Sequence, residues 1–232
     1  MAMPSNALQR GYDALRRGWM LYHLADPQFA FMYGDPPADE WVALDCETTG
    51  LDVRHDQIVS IGAVRIVGNR LLTSQRLELL VRPERALEVA SMRIHHLRER
   101  DVAQGLDPLT AMRRLLHFIG SRPLVGYYLE FDVAMLNREI WPMLGVRLPQ
   151  PKIEVSAMYY DFKFRQLPLH ARDEPIDLRF ATIMNDLDVP VRTAHDALND
   201  AVMAGLAFVK LRRLLAERQT PGRALARKFG RS

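Results

Sequence analysis

The run Trp41-Val42-Ala43-Leu44-Asp45-Cys46-Glu47 has the composition of a β-strand and carries two carboxylates. Side chains alternate along a strand, so Val42, Leu44 and Cys46 share one face while Asp45 and Glu47 share the other. The two acids then have Cα atoms about 7 Å apart, close enough for both carboxylates to reach one metal cluster. Taken alone, such a pair also fits the solvated face of an edge strand. The Thr48-Thr49-Gly50 turn that follows adds two hydroxyls and free backbone N–H groups, which suit an anion or a sugar hydroxyl beside the acids.

A chain of 232 residues, 48% hydrophobic and 25% charged, fits one globular domain with a small extension. No stretch is apolar enough to span a membrane, the start MAMPSNALQR lacks the apolar core of a signal peptide, and the single Cys46 can form no internal disulfide. The expected location is a reducing cytoplasm. A net charge of +3 and a pI near 9.2 permit a polyanionic partner without demanding one.

Three units are expected: an N-terminal helix and connector over 1–40, the main domain over 41–216, and a basic tail over 217–232. Leu8, Tyr12, Leu15, Trp19 and Tyr22 recur at steps of three and four, which predicts a helix over 5–24 whose apolar side packs on the domain; a docking face for a protein partner is the alternative. Two strand-like runs around Gly68-Asn69 predict a hairpin. Asp107 and Gly120 bracket a helix, 123–127 is a short buried strand, and FDVAMLNREIW is helical up to Pro142. PKIEVSAMYYDFKFR fits a short strand running into a helix, Asp177 starts a helix that ends before Pro190, and HDALNDAVMAGLAFVKLRRLL is the longest helical pattern. Three mostly antiparallel strands followed by alternating helices and short strands make an α/β fold, a mixed sheet covered by helices.

Two further segments carry acids. Asp132 sits at a helix start, where an Asp most often caps the helix, but strand 123–127 beside the first strand would deliver it to the same sheet end as Asp45 and Glu47. In AHDALNDA, His195 and Asp200 are five steps apart and diverge by about 140° within a regular helix, so they converge only if His195 lies at or before the first turn. Asp196 and Asp200 are neighbours on one face, and spacing alone leaves open which of them faces a metal.

Acid-x-acid, a helix-start Asp and His-x4-Asp, in that order, resemble the DnaQ-like 3′–5′ exonucleases of the ribonuclease H-like superfamily, in the branch with four catalytic acids and a His. The motifs LDCETTGL, FD and AHDALNDA carry the likeness, which covers about residues 41–210. It implies a ribonuclease H-like mixed β-sheet flanked by helices, with the first three strands antiparallel. Asp45, Glu47, Asp132 and Asp200 are then the ligands of two Mg²⁺ or Mn²⁺ ions, and His195 is the general base, with an ordinary pKa of about 6.5 that suits a base near neutrality. Thr48 and Thr49 hold the terminal 3′-hydroxyl, Leu51 wedges against the last base, and His95 of RIHHL joins Phe131 in the wall of the terminal-nucleotide pocket. This sequence departs from the family at His96, where Gly is usual, and at Tyr127-Tyr128, where a His-Asn pair is usual; core packing with the hydroxyl at the surface is the expected role of these Tyr rings, and stacking of Tyr127 or Tyr128 on a base is the alternative. The implied partner is nucleic acid with a free 3′ end, DNA before RNA. The alternatives are the same chemistry on short RNA and a non-catalytic, polymerase-associated binding module.

Overall fold

The computed structural model describes residues 7–83, 102–191 and 196–218. A five-stranded sheet in the order β3-β2-β1-β4-β5 is built from β1 (Glu40–Thr48), β2 (Ile58–Val67), β3 (Arg70–Leu80), β4 (Leu124–Gly126) and β5 (Lys152–Glu154). The first three strands pair antiparallel, while β4 runs parallel to β1 and β5 parallel to β4. Gly68 supplies the positive φ of 59° at the first position of the two-residue β2–β3 turn, where a side chain would be strained. The helices are α1 (Ala7–His23), α2 (Pro108–Ile119), α3 (Leu129–Leu144), α4 (Val155–Phe164), α5 (Phe180–Asp186) and α6 (Ala197–Arg218). None of the described helices is long and apolar enough to cross a membrane.

The central strand β1 is covered on both faces, which is why its apolar residues run nearly without interruption. Val42, Leu44 and Cys46 pack into one core with α2, α3 and a 3₁₀ turn at Pro27–Tyr33. Ala43 points into the second core, with α4, α5 and α6. Full burial of Val42 and Leu44 stabilises the sheet by about 2 kcal/mol each. The acid-bearing face of β1 is therefore the α6 face of a central strand, not an exposed edge.

The approach of α6 depends on Gly62. This residue of β2 is the register partner of Asp45, and a Cβ on it would overlap the backbone of Ala197 and Leu198 in the first turn of α6. Without that missing side chain the helix start would have to move off the sheet.

Three expectations need correction. The N-terminal helix does form, but Leu15, Trp19 and Tyr22 are 77%, 61% and 85% exposed, so among the described residues its apolar stripe does not pack on the domain. The helix is turned the other way: Arg17 reaches Asp35 at 3.6 Å, Met20 packs on the first core, and Leu24 is buried after its end. Amphipathic periodicity shows that a stripe exists, not which surface it meets. The helix α3 does not stop before Pro142 but runs through it to Leu144. Ile140 and Leu144 are fully buried, and in the last turn the ring forfeits only one hydrogen bond. The helix expected from Asp177 begins at Phe180, because the Asp177 carboxylate accepts from the Arg179 backbone N–H, the Arg179 guanidinium and the Thr182 hydroxyl and holds a turn instead.

Gly62→Ala is expected to destabilise the fold by about 3 kcal/mol, the upper end of overpacking costs, because the collision is with backbone. Gly18→Ala in α1, which has open space around it, is expected to be neutral or stabilising. Urea unfolding of both variants beside wild type checks the contrast.

Candidate active site

Asp45 and Glu47 leave the same face of β1 at its C-terminal end, and the β1–β2 register shifts between Glu47 and Thr48. Such an irregularity bends a strand and re-aims its side chains. Asp200 arrives on the first turns of α6, and oxygens of Asp45, Glu47 and Asp200 all lie within 4.8 Å of one another. Asp196 does a different job: its carboxylate accepts from the Asn199 N–H at 2.8 Å and caps α6. The structure thus separates two acids that sequence spacing left equivalent.

Asp132 lies in the first turn of α3 and is buried. Its carboxylate accepts from the Cys46 backbone N–H at 3.1 Å, a bond that ties α3 to β1 between the two strand acids. Asp132 is therefore not the helix cap. Burial, and then the neighbouring charges of Asp132, Asp200 and Glu47, push Asp45 well above the ordinary carboxylate range. Burial also raises Asp132, against the lowering effect of the Cys46 N–H bond. Burial raises the Cys46 thiol in turn, so it packs as a neutral core group.

The β1–β2 loop is held by Asp56, which sequence reasoning did not single out. Its carboxylate accepts from the Thr49 hydroxyl at 2.9 Å and the Asp52 N–H at 2.7 Å, and packs where a Cβ of Gly50 would stand. The Thr48 hydroxyl donates to the Gly50 carbonyl at 2.6 Å. Leu51 is exposed at the loop tip, and Phe131 is half-buried against the first core. His95 and His195 lie outside the described residues.

A second missed residue is Glu154. Register places it beside Gly126, and its two carboxylate oxygens accept from the Tyr128 and Leu129 N–H groups at 3.1 and 3.0 Å. It also accepts from the Ser156 N–H at the start of α4. One acid thus caps two helices, including the one that carries Asp132. Its position just before a helix was a local signal for the second cap; no local signal exists for the first.

The Tyr pair divides. Tyr127 packs its ring against Phe180 at 4.7 Å and donates its hydroxyl to the Leu178 carbonyl at 3.0 Å. Tyr128 instead is 69% exposed, with φ of +54°, which corrects the expectation of a packed ring.

A family model described as exonuclease matches residues 42–208, most of the chain. DNA polymerase III subunit epsilon of Rickettsia felis is 35% identical over 171 residues, covering 73% of this chain and 72% of that protein. The chain belongs to the DnaQ-like exonuclease family. A DNA polymerase III subunit epsilon-like protein of Rhodobacter capsulatus is 30% identical over 180 residues, 76% of this chain but 24% of that protein. The chain therefore spans about a quarter of that relative's length. Among solved structures, an E. coli ExoI–ssDNA complex aligns with a TM-score of 0.63 at 15% identity, over 78% of this chain and 43% of that one. Exonuclease X in complex with 5′-overhanging duplex DNA aligns with a TM-score of 0.57 at 21% identity, over 75% and 91%. Both show a shared fold. Within the DnaQ-like frame the Tyr128 departure has a physical cost: Asn, usual in that pair, adopts positive φ readily, whereas a bulky ring there is strained.

The raised carboxylates make a pH prediction. Folded pKa values above the unfolded value near 4 mean that folding without metal takes up protons, so stability falls as pH rises above about 4. Asp45→Asn is expected to raise the melting temperature of EDTA-treated protein at pH 7 by a few degrees and to abolish the further rise that Mg²⁺ gives wild type. Differential scanning calorimetry decides it; a variant that melts below wild type in EDTA contradicts the electrostatic account.

Proposed function

We propose that the chain is a metal-dependent 3′–5′ exonuclease that hydrolyses DNA from a free 3′ end and releases nucleoside 5′-monophosphates. The convergence of Asp45, Glu47 and Asp200 oxygens within 4.8 Å, beside buried Asp132, carries this reading. An all-carboxylate donor set fits hard cations such as Mg²⁺ or Mn²⁺. Asp45, Glu47 and Asp200, with Asp132, would hold such ions, which when bound would supply charge stabilisation to the phosphodiester oxygens.

This chain's own residues do the rest. His195, which directly precedes the α6 cap Asp196, takes a proton from the water that attacks the terminal phosphodiester. The bond from phosphorus to the 3′-oxygen of the preceding nucleotide breaks, and that oxygen takes up a proton from solvent to become the new 3′-hydroxyl. Thr48 spends its proton on the Gly50 carbonyl, which orients its remaining lone pairs as acceptors for the terminal 3′-hydroxyl. Thr49 fixes the same loop through Asp56, and Leu51 at the exposed tip meets the last base. Phe131 and His95 flank the terminal nucleotide. DNA is favoured because the relatives are named as DNA polymerase subunits and the solved neighbours hold single-stranded and duplex DNA.

The test incubates 5′-labelled single-stranded DNA, 3′-recessed DNA and short RNA with the full chain and Mg²⁺ or Mn²⁺, beside an Asp45→Ala/Glu47→Ala control. Stepwise shortening of DNA from the 3′ end, absent in the control and in EDTA, is expected. His195→Ala is expected to lower turnover by about 10²–10⁴-fold with metal binding retained. Intact DNA ends in the presence of folded, metal-loaded protein would refute the reading, and preferential loss of RNA would move the substrate.

A further inference from the structure

A groove of about 860 Å³ runs between α1 and α3 and ends beside the loop that carries Leu51. At its near end stand Glu130 and Val133, which flank Asp132 in sequence, and Val53, whose carbonyl accepts from the Arg138 guanidinium at 2.8 Å. At its far end Trp141 lies nine residues beyond Asp132, about 14 Å along the helix. The near end of the groove therefore lies at the first turn of α3, the turn that also carries Asp132, and beside the β1–β2 loop, and the groove leads away from there along α3.

Its lining is aromatic and cationic. Trp141 is 53% exposed and Trp19, on the facing wall, 61% exposed. The Arg147 guanidinium sits 6.0 Å from the Trp141 ring centroid. Four cations line the groove: Lys152 is bound to Glu130 at 2.6 Å and Arg138 to Glu139 at 3.0 Å, while Arg16 and Arg147 meet no carboxylate among the described residues. Trp rings left open beside unneutralised Arg residues are costly for an apolar peptide to cover, because burial would desolvate the guanidinium groups. The same arrangement matches a strand whose bases stack on rings while its phosphates meet cations.

We infer that this groove is a binding path for single-stranded nucleic acid, which takes the nucleotides 5′ of the scissile phosphodiester and stacks their bases on Trp141 and Trp19. The inference rests on the exonuclease reading for its direction, since a strand with its 3′ end at the acids must leave by some route. The wall formed by Arg16 and Trp19 lies outside residues 42–208, so this half of the path is a feature of this chain's N-terminal segment and not of the matched exonuclease domain. The path also explains why the Trp19 side of α1 stays open to solvent.

The experiment measures affinity and cleavage separately. Fluorescein-labelled oligothymidylates of 2, 4, 8 and 12 nucleotides are titrated with the full chain carrying Asp200→Asn, so that nothing is cut, and anisotropy is followed at several salt concentrations. Affinity is expected to climb with length beyond two nucleotides. Trp141→Ala is expected to weaken the 12-mer about tenfold, Trp141→Phe to recover most of that loss, and Arg147→Glu to lower the salt slope by about one. In the otherwise wild-type chain the ratio of KM values for the 2-mer and the 12-mer is expected to collapse in Trp141→Ala. If affinity does not depend on length, or if Trp141→Ala and Arg147→Glu bind the 12-mer as the parent does, the groove is not the path. A chain that cuts no strand yet shows length-dependent, Trp141-dependent binding would refute the exonuclease reading and leave the groove standing.

Discussion

Four carboxylates gathered at one end of a sheet repel one another, and the rest of this structure is organised around holding them there. Asp45 and Glu47 cannot separate because they sit two residues apart on a strand whose register with β2 is fixed at both positions. Asp132 is held by the Cys46 N–H and by the Glu154 caps on its helix, and Asp200 by a helix that rests on the bare backbone of Gly62. The free energy that opposes this crowding is that of two hydrophobic cores, one on each face of β1. A site that strains the protein in this way is the kind from which a cation recovers binding energy.

The same geometry explains the division of labour among neighbouring acids. Asp196 and Asp200 differ by one helical turn, yet the carboxylate of the first accepts from the Asn199 N–H at the helix start while the second faces Asp45. Asp56 and Glu154 lie outside the cluster of Asp45, Glu47 and Asp200 oxygens: one shapes the loop that carries Thr48 and Leu51, and the other fixes the start of the helix that carries Asp132.

What was legible in the sequence follows from the range of each interaction. The facing of Asp45 and Glu47, the hairpin at Gly68 and the Asp107 cap of α2 are set by residues within a few positions, and the local pattern shows them. The mixed sheet and the exonuclease fold were legible through motif order. From spacing alone the choice of Asp200 over Asp196 was not legible, and only the motif resemblance named Asp200, because the choice depends on the contact of α6 with Gly62, far away in the chain. Nor was the orientation of α1, whose apolar stripe has the right period but faces solvent while Arg17 and Met20 meet the domain. Tyr128 was misplaced for a similar reason: its exposure follows from a positive φ at the helix cap, which composition does not reveal.

The most direct measurement is an EPR-monitored titration of the full chain with Mn²⁺, beside Asp200→Asn. Two ions per chain with spin coupling, as expected at about 3.5–4 Å separation, and loss of the coupled pair in the variant are the predicted results. A folded wild-type protein that binds one uncoupled ion or none, or a variant that keeps the coupled pair, would contradict the claim that these carboxylates are gathered to hold metal.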